Sequence, residues 1–298
     1  MTEISRVGVV GAGQMGAGIA EVCVRSDLDV LVCEETAQAA AAGRRRILAS
    51  MERAVHRGRI SRQERDRAAW RLRFTTDLGE MADRQLVIEA VSENEMLKRE
   101  IFAALDKVVS DPVAVLASTT SSIPIMKLGT ATSRASHVLG LHFFNPAPVM
   151  PLVEVATSLL TSSVVRDRVE SFTVRVLGKR VIRSTDRIGF VVNSLLVPYL
   201  LAAIRMVESG FAEPQDVDAA MTLGCAHPMG PLALADLIGL DILAAIAESM
   251  YAELRDAQYA PPPLLLRMVD AGLLGRKSGR GFHPYPGSTD YLEEGISA

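Results

Sequence analysis

Residues 7–16 read Val-Gly-Val-Val-Gly-Ala-Gly-Gln-Met-Gly, an apolar run that passes into the pattern G-x-G-x-x-G. A helical pattern continues from Ala17 to Arg25, so the glycines stand between a predicted strand and a predicted helix. In that setting Gly11 permits a tight turn, Gly13 lets a phosphate approach the backbone, and Gly16 lets helix and strand pack closely. The N–H groups at the helix N-terminus favour phosphate. The stretch predicts the first turn of a dinucleotide-binding domain, with a purely structural glycine turn as the alternative.

Further apolar runs follow at intervals, with helical patterns such as Glu95–Val109 between several of them. Short runs bounded by turn residues are typical of buried parallel strands. The alternation predicts a doubly wound α/β domain of the Rossmann type, with an arginine-rich helical hairpin inserted at about Ala37 to Arg71. The predicted strands are Val7–Val10, Val30–Cys33, Leu86–Val91, Val113–Ala117 and Val138–Phe143.

The pattern changes near Gly189, after which only amphipathic helices are predicted. We therefore place a boundary near Arg187 and predict a Rossmann domain over 1–187 and an all-helical domain over 188–298. Active sites often lie where two domains meet. The predicted helices of the second domain are Ser194–Glu208, Pro214–Thr222, Leu232–Leu254 and Pro263–Ala271.

Composition is that of an ordinary globular protein, since 49% of the 298 residues are hydrophobic, 22% are charged, and the net charge is −3. General affinity for nucleic acid or for anionic membranes is not expected. The most apolar stretch, Phe190 to Val207, contains Asn193, Pro198 and Arg205 and is predicted to be a buried helix. The scattered cysteines match no metal-ligand spacing, and the N-terminus has no signal-peptide pattern, so we expect a cytoplasmic protein without a metal.

Glu34 ends the second predicted strand, about where such domains place the acid that binds the ribose hydroxyls. A carboxylate there accepts from the 2′-hydroxyl of NAD and repels the 2′-phosphate of NADP. Glu35 is an alternative for this role. Because no arginine stands beside these residues in the sequence, we predict NAD as the cofactor.

A proline-rich segment joins His142, at the end of an apolar strand, to Glu154 in a second apolar segment. Pro146, Pro148 and Pro151 stiffen the intervening loop and can bring the carboxylate against the imidazole. Oxidation of an alcohol by hydride transfer needs a base, and a histidine oriented by a carboxylate suits this role. A core histidine paired with a structural glutamate fits the spacing equally well.

Several further motifs can be compared with known families, namely His142–Pro146 with Leu152–Val155, Val87–Val91 with Glu93 and Asn94, Thr120–Ser122, Gly189–Asn193, His227–Pro231 and Gly275–Phe282. In these motifs the chain resembles the 3-hydroxyacyl-CoA dehydrogenase family over almost its whole length, most closely the free-standing bacterial 3-hydroxybutyryl-CoA dehydrogenases. The resemblance implies that His142 is the general base, that Glu154 is its partner, and that Ser121 and Asn193 hold the substrate. Structural alternatives are that Ser121 caps a helix beginning near Ile123 and that Asn193 caps or cross-links the first helix of the second domain.

The same resemblance implies the NAD-binding residues. Lys98 has the alternative of a solvated helix residue, and Lys277 that of a loop charge. The other histidines match no catalytic position and are interpreted as structural or surface residues; they are His56, His137, His227 and His283. One departure is Thr119, where the family usually has asparagine, which puts turnover and substrate preference in doubt. The implied cofactor residues are Gly11, Ala12, Gly13, Gln14, Met15, Gly16, Glu34, Ala90, Glu93, Lys98, Ser121, Asn145 and Lys277.

The arginine-rich insertion has two interpretations, a solvated helical face or a site for the phosphates of CoA that includes Arg57 and Arg59. The resemblance implies NAD-dependent oxidation of (S)-3-hydroxybutyryl-CoA to acetoacetyl-CoA in fatty acid metabolism (β-oxidation), by a homodimer. One alternative is a sibling dehydrogenase that acts on another β-hydroxyacyl thioester, such as 3-hydroxyadipyl-CoA or a carrier-protein thioester. Two others are a dehydrogenase of the sugar-acid type that acts on a free hydroxy acid, and a non-catalytic NAD-binding protein.

Overall fold

The computed structural model describes residues 3–286, and it separates into two compact units after Phe190. The first unit is an α/β domain built on one sheet, and the second, from Val191 onward, consists of helices and short turns. The predicted fold class, a Rossmann-type domain followed by a helical domain, is confirmed. The part of the predicted second domain after residue 286 lies outside the described residues.

Within residues 3–286, eight strands form one sheet in the order β3-β2-β1-β4-β5-β6-β7-β8. All neighbours are parallel except β6 and β7, which are antiparallel. The chain runs outward from β1 to β3 and then returns to place β4 on the other side of β1. A crevice therefore opens at the carboxyl ends of β1 and β4, where doubly wound sheets bind ligands. The strands are β1 Arg6–Val10, β2 Asp29–Cys33, β3 Leu72–Thr75, β4 Leu86–Glu89, β5 Val115–Ser118, β6 Val138–Phe143, β7 Leu152–Thr157 and β8 Arg180–Thr185.

Helices cover both faces of this sheet, so its central strands bury both sets of side chains. On β4, for example, Ile88 belongs to the core cluster under α1, α2, α3 and α6, whereas Val87 belongs to the cluster under α4 and α5. This double burial explains the continuous apolar runs of the sequence. The helices of the first unit are α1 Gln14–Arg25, α2 Ala37–His56, α3 Arg62–Trp70, α4 Glu95–Val108, α5 Ile125–Gly129 and α6 Ser163–Arg175.

The predicted helical insertion is present as the pair α2 and α3. Helix α2 begins after Thr36, whose side chain accepts a hydrogen bond from the Ala39 N–H at 3.1 Å. Helix α3 begins after Ser61, which forms a reciprocal capping box with Glu64. Gly58, with a φ of +67°, allows the turn between the two helices.

The second unit contains five helices among its described residues. The prediction of one helix over Leu232–Leu254 is wrong, because Gly239 has a φ of +102° and breaks it into two. None of the helices in residues 3–286 is long and apolar enough to cross a membrane. The helices are α7 Val192–Glu208, α8 Pro214–Gly224, α9 Pro231–Ile238, α10 Leu240–Leu254 and α11 Pro263–Asp270.

Three elements of the first unit have no counterpart in the sequence prediction, namely β3, β8 and α6. Both strands are at the edges of the sheet and include arginine. Neither therefore shows the continuous apolar run that predicts a buried strand. Helix α6 holds five charged residues among its thirteen, which weakens its apolar periodicity.

Candidate active site

The glycine-rich turn joins β1 to α1 at the crevice of the sheet. Gly11 has a φ of +92°, and a Cβ atom there would lie 2.8 Å from the carbonyl oxygen of Ala90. Gly16 is equally confined, because a Cβ atom there would overlap the carbonyl oxygen of Gly11. Ala90 directly follows β4, so the ends of the two strands that flank the crevice meet here. These two glycines are therefore required by packing.

Gly13 differs, because a Cβ atom there would have no neighbour within 4 Å. It is the N-cap of α1, and no side chain caps the helix at this end. The first-turn N–H groups are thus accessible to a ligand, and the space next to Gly13 fits the pyrophosphate of a dinucleotide. Met15 packs against the hydrophobic core, so its contribution to such a site is through its backbone. The residues present fit NAD at this turn.

Glu34 directly follows β2, and its carboxylate accepts a hydrogen bond from the N–H of Ala12 in the glycine loop. Arg46 of α2 donates from Nη1 to the carbonyl oxygen of the same residue. Helix α2 approaches the loop closely here, because a Cβ atom on Gly43 would lie within 2.5 Å of the Ala12 Cβ. No arginine adjoins Glu34 in the sequence, yet the fold brings one to the same residue of the glycine loop. The helical hairpin supplies one that the sequence places twelve positions away.

The loop after β6 contacts the glycine loop through Asn145, whose Oδ1 accepts from Gln14 Nε2 at 3.3 Å. The Asn145–Pro146 peptide bond is cis. Lys179 holds the far end of this loop, since its Nζ donates to the carbonyl oxygens of Ala147 at 2.7 Å and Met150 at 2.8 Å. Burial lowers the pKa of this lysine. Lys179 is not among the predicted site residues, because its partners are backbone atoms and leave no pattern in the sequence.

Glu93 binds the segment that follows β5. Its Oε1 accepts hydrogen bonds from the hydroxyl of Thr120, from the hydroxyl of Ser122 at 2.6 Å and from the Ser121 N–H at 3.3 Å. Burial alone would raise the pKa of Glu93, but the Lys98 ammonium and these hydrogen bonds outweigh it and hold the pKa below its ordinary value. Glu93 is therefore an anion that fixes the backbone of Ser121.

Lys98 is wholly buried, so its alternative interpretation as a solvated helix residue is wrong. Its Nζ lies 2.7 Å from Oε1 of the equally buried Glu89 and 3.4 Å from Oε2 of Glu93. Glu89 also accepts from the Ser118 hydroxyl at 2.6 Å and from the Val91 N–H at 2.7 Å. A buried ion pair thus underlies the crevice at the ends of β4 and β5. Glu89 is not among the predicted site residues.

His142 and Glu154 lie directly opposite each other on β6 and β7, the antiparallel pair of the sheet. His142 Nδ1 is 2.7 Å from Glu154 Oε2, and the glutamate side chain is fully buried. The imidazole also packs edge-on against Phe144, with ring centroids 4.8 Å apart. Because Nδ1 faces the carboxylate, Nε2 is the nitrogen left for a substrate. This geometry is that of a histidine base held by an acid.

Ser121 lies on the same edge of the sheet, three residues after β5. Its carbonyl oxygen accepts from the Gly189 N–H at 3.0 Å, and the next residue, Phe190, places its ring 5.6 Å from that of His142. The alternative that Ser121 caps the following helix is wrong. Helix α5 begins at Ile125, and the carboxylate of Asp186 accepts from the N–H groups of its first two residues.

Two predicted site residues belong to the second unit. Asn193 is the second residue of α7, and the N-cap position is Val191, so Asn193 does not cap this helix. Lys277 lies in a turn between α11 and the end of the described chain, where its Nζ is 2.6 Å from Asp241. Asp236 holds that turn by accepting from backbone N–H groups that follow it, and burial raises the pKa of this carboxyl group.

The arginines of the insertion meet more acids than the local sequence offers. Arg67 and Arg71 both pair with Asp27 in the turn between α1 and β2, and Arg73 pairs with Asp29 of β2. These contacts support a structural role for part of the arginine cluster. Arg57 and Arg59 are exposed near the turn between α2 and α3.

Among the remaining histidines, His283 bonds Asp218 at 2.7 Å and His227 contacts the hydroxyl of Tyr199 at 3.2 Å, each within the second unit. These two are structural, as expected. No group of three or more metal-ligating side chains occurs within residues 3–286.

Family models match both units of the chain. Residues 6–187 match the model for the 3-hydroxyacyl-CoA dehydrogenase NAD binding domain, and residues 189–285 match the model for the C-terminal domain of the same family. A 3-hydroxybutyryl-CoA dehydrogenase of Mycobacterium tuberculosis is 61% identical over 282 residues, which cover 95% of this chain and 99% of that protein.

Solved structures give the same result. The crystal structure of FadB2 from Mycobacterium tuberculosis superposes with a TM-score of 0.94 at 60% identity, covering 95% of this chain and 100% of that one. The (S)-3-hydroxybutyryl-CoA dehydrogenase PaaH1 from Ralstonia eutropha superposes with a TM-score of 0.90 at 41% identity, covering 95% and 99%.

Proposed function

Because this chain belongs to the 3-hydroxyacyl-CoA dehydrogenase family, an NAD-dependent family of enzymes, we propose that it oxidises (S)-3-hydroxybutyryl-CoA to acetoacetyl-CoA and catalyses the reverse reduction. The observation that carries the proposal is the 2.7 Å contact between His142 and the buried Glu154. The relatives named 3-hydroxybutyryl-CoA dehydrogenase support a four-carbon acyl group and a role in fatty acid metabolism.

The proton chemistry belongs to His142. NAD⁺, when bound, supplies the acceptor for the hydride that leaves carbon 3 of the substrate. His142 takes the hydroxyl proton at Nε2 during oxidation and returns it during reduction. Glu154 holds the ring through Nδ1 and stabilises its cationic form. The products are the ketone, the reduced cofactor and one proton, so atoms and charge balance.

Neutral donors complete the proposed substrate site. The Ser121 hydroxyl would donate to the reacting oxygen, and Asn193 would hold the thioester end. Such groups polarise a carbonyl without competing for the proton on His142. The ion pairs of Glu93 with Lys98, and of Lys98 with Glu89, support this role because they fix the backbone on which Ser121 stands.

The remaining assignments concern the partners. NAD would bind to 1–187 through the glycine loop, Glu34, Ala90, Glu93, Asn145 and Ser121, with Lys98 acting from beneath the site and Lys277 contributed by the helical domain over 188–298. Arg57 and Arg59 would bind the phosphates of CoA, because arginine forms paired hydrogen bonds with phosphate. A cytoplasmic homodimer is proposed. Exposed apolar side chains of the second unit, including Phe211 and Leu223, support self-association.

The test is the loss of NADH absorbance with purified protein and acetoacetyl-CoA. We expect turnover with NADH, little with NADPH, and none in His142→Gln. His137→Gln is the matched control, because His137 directly precedes the same strand and is predicted to retain activity. Absence of turnover in the unmodified protein would contradict the proposal.

A second candidate is the related activity on a longer, dicarboxylic or carrier-protein-bound β-hydroxyacyl thioester. The feature that favours it is Thr119, which stands where the family usually has asparagine, next to Thr120 and Ser121. Rates on four-carbon, six-carbon and dicarboxylic CoA esters separate the candidates, since the preferred ester will have the highest kcat/KM.

A further inference from the structure

Two charged side chains of opposite sign hold the same residue of the glycine loop. Glu34 accepts from the Ala12 N–H, and Arg46 donates to the Ala12 carbonyl oxygen. A carboxylate and a guanidinium group are therefore brought to one peptide residue at the mouth of the crevice. Arg46 comes from α2, which can approach this closely because Gly43 packs against Ala12 without a side chain.

The two groups have different freedom. Glu34 follows β2 directly, and it is only partly exposed. Arg46 is exposed. Within residues 3–286 its partner is the backbone carbonyl oxygen of Ala12, and not a carboxylate. Its other N–H groups therefore remain available to an anion in the same place.

NAD and NADP differ only at the 2′-oxygen of the adenine-side ribose, and this inference rests on the proposed binding mode, in which that oxygen lies at Glu34. A phosphate on that oxygen would carry about −1.5 to −2 charges, as phosphate monoesters do at neutral pH. It would meet the Glu34 carboxylate, which repels it, and the Arg46 guanidinium, whose fork geometry suits phosphate.

We propose that Arg46 is a latent binding residue for the 2′-phosphate of NADP, and that Glu34 alone keeps this site closed. In the unmodified protein Arg46 fastens α2 to the glycine loop. Removal of the carboxylate frees the ribose pocket and leaves a guanidinium group in place to receive the phosphate. A single substitution at Glu34 then broadens the cofactor range, and Arg46 is responsible for the gain.

The test measures the binding of NADH and NADPH by titration calorimetry without any acyl-CoA, so its outcome is independent of the proposed substrate. The variants are Glu34→Ser, Glu34→Gln and Glu34→Ser combined with Arg46→Met. The matched control is Glu34→Ser combined with Arg45→Met, because Arg45 is the adjacent exposed arginine of α2.

We expect Glu34→Ser to bind NADPH about 10- to 100-fold more tightly than the unmodified protein, the range of one or two charge-assisted hydrogen bonds. The Arg46→Met combination should lose most of this gain, whereas the Arg45→Met combination should keep it. The gain should also shrink at high salt, since both groups are near solvent.

Three results would overturn the proposal. One is a gain in NADPH affinity that survives Arg46→Met. Another is no gain in either Glu34 variant while NADH still binds, which shows that the loop is intact. If Arg46 is only a clamp between helix and loop, its replacement will weaken NADH and NADPH by the same factor, and the proposal fails.

Discussion

The buried ion pair of Lys98 and Glu89 permits a direct comparison with an exposed pair on the same helix. In Lys98→Met, the fully buried carboxylate of Glu89 loses the ammonium that lies 2.7 Å away. Removal of one member of a buried pair costs about 3–5 kcal/mol. Glu89 keeps its hydrogen bonds from Ser118 and Val91, so we expect a loss of unfolding free energy near the lower end, about 3 kcal/mol.

The matched control is Arg99→Met, one residue further along α4. Arg99 pairs with Glu95 at 3.8 Å on the exposed surface, with about half of its side chain accessible. Such pairs contribute about 0.3–0.5 kcal/mol. Both variants replace a long cation by methionine in one helix, so helix propensity and side-chain size are closely matched.

The assay is urea unfolding of the full chain, followed by far-ultraviolet circular dichroism. We expect the Lys98→Met midpoint to fall well below that of Arg99→Met. Adding Glu89→Gln to Lys98→Met should restore part of the stability, because no uncompensated charge then remains buried. A Lys98→Met loss within about 1 kcal/mol of Arg99→Met would refute the reasoning, since it is smaller than any buried-pair effect.

Three further predictions concern catalysis, cofactor binding and pH. Glu154→Gln should lower kcat by about 10- to 100-fold with little change in KM, because His142 loses a charge-assisted hydrogen bond; a loss below threefold in steady-state rates would contradict this role. Gly13→Ala should leave the Tm unchanged but weaken NADH binding, whereas Gly16→Ala should lower both, as calorimetry and thermal melts would show; equal Tm values would be inconsistent with the packing. The pKa of Glu93 is lowered on folding, so the stability that this carboxylate contributes is present above its unfolded pKa and is lost as the pH falls through the folded value. Glu93→Gln should therefore flatten the acidic part of the curve of unfolding free energy against pH. An unchanged slope there would count against this prediction.

Local sequence patterns predicted the parts of the site that lie along single elements. The glycine turn, Glu34 after β2 and the approach of Glu154 to His142 all follow from strand ends, turn residues and short separations. In these cases the strands of the sheet determine which residues lie next to each other. A short stretch of sequence is therefore enough to predict the contact.

Contacts between distant elements could not be predicted in this way. Arg46 contacts Ala12 because Gly43 lets α2 pack against the loop, and sequence adjacency gives no indication of that contact. Asp27 collects two arginines of the insertion for the same kind of reason. Such partners depend on where a helix lies, which hydrophobic periodicity does not specify.

Competing roles for polar residues were also undecided by sequence. Ser121 and Asp186 are 65 positions apart, yet it is Asp186 that provides the cap of α5. Lys98 follows a helical pattern that is compatible with solvent exposure, and only its partner Glu89 on β4 explains its burial. A polar side chain is buried where a hydrogen-bond or ion-pair partner lies within reach, and the position of that partner depends on the tertiary structure.

The position of the histidine and its acid on neighbouring antiparallel strands ties their alignment to the register of the sheet. Each backbone ladder bond between β6 and β7 helps to set the distance from His142 to Glu154. A slip of one residue would turn Glu154 to the opposite face, because side chains alternate along a strand. The contact between His142 and Glu154 therefore cannot be lost by a local movement while β6 and β7 remain paired. On heating, proton transfer should be retained until the first unit unfolds cooperatively and should then vanish with it, rather than decline gradually as it would for a base carried on a mobile loop.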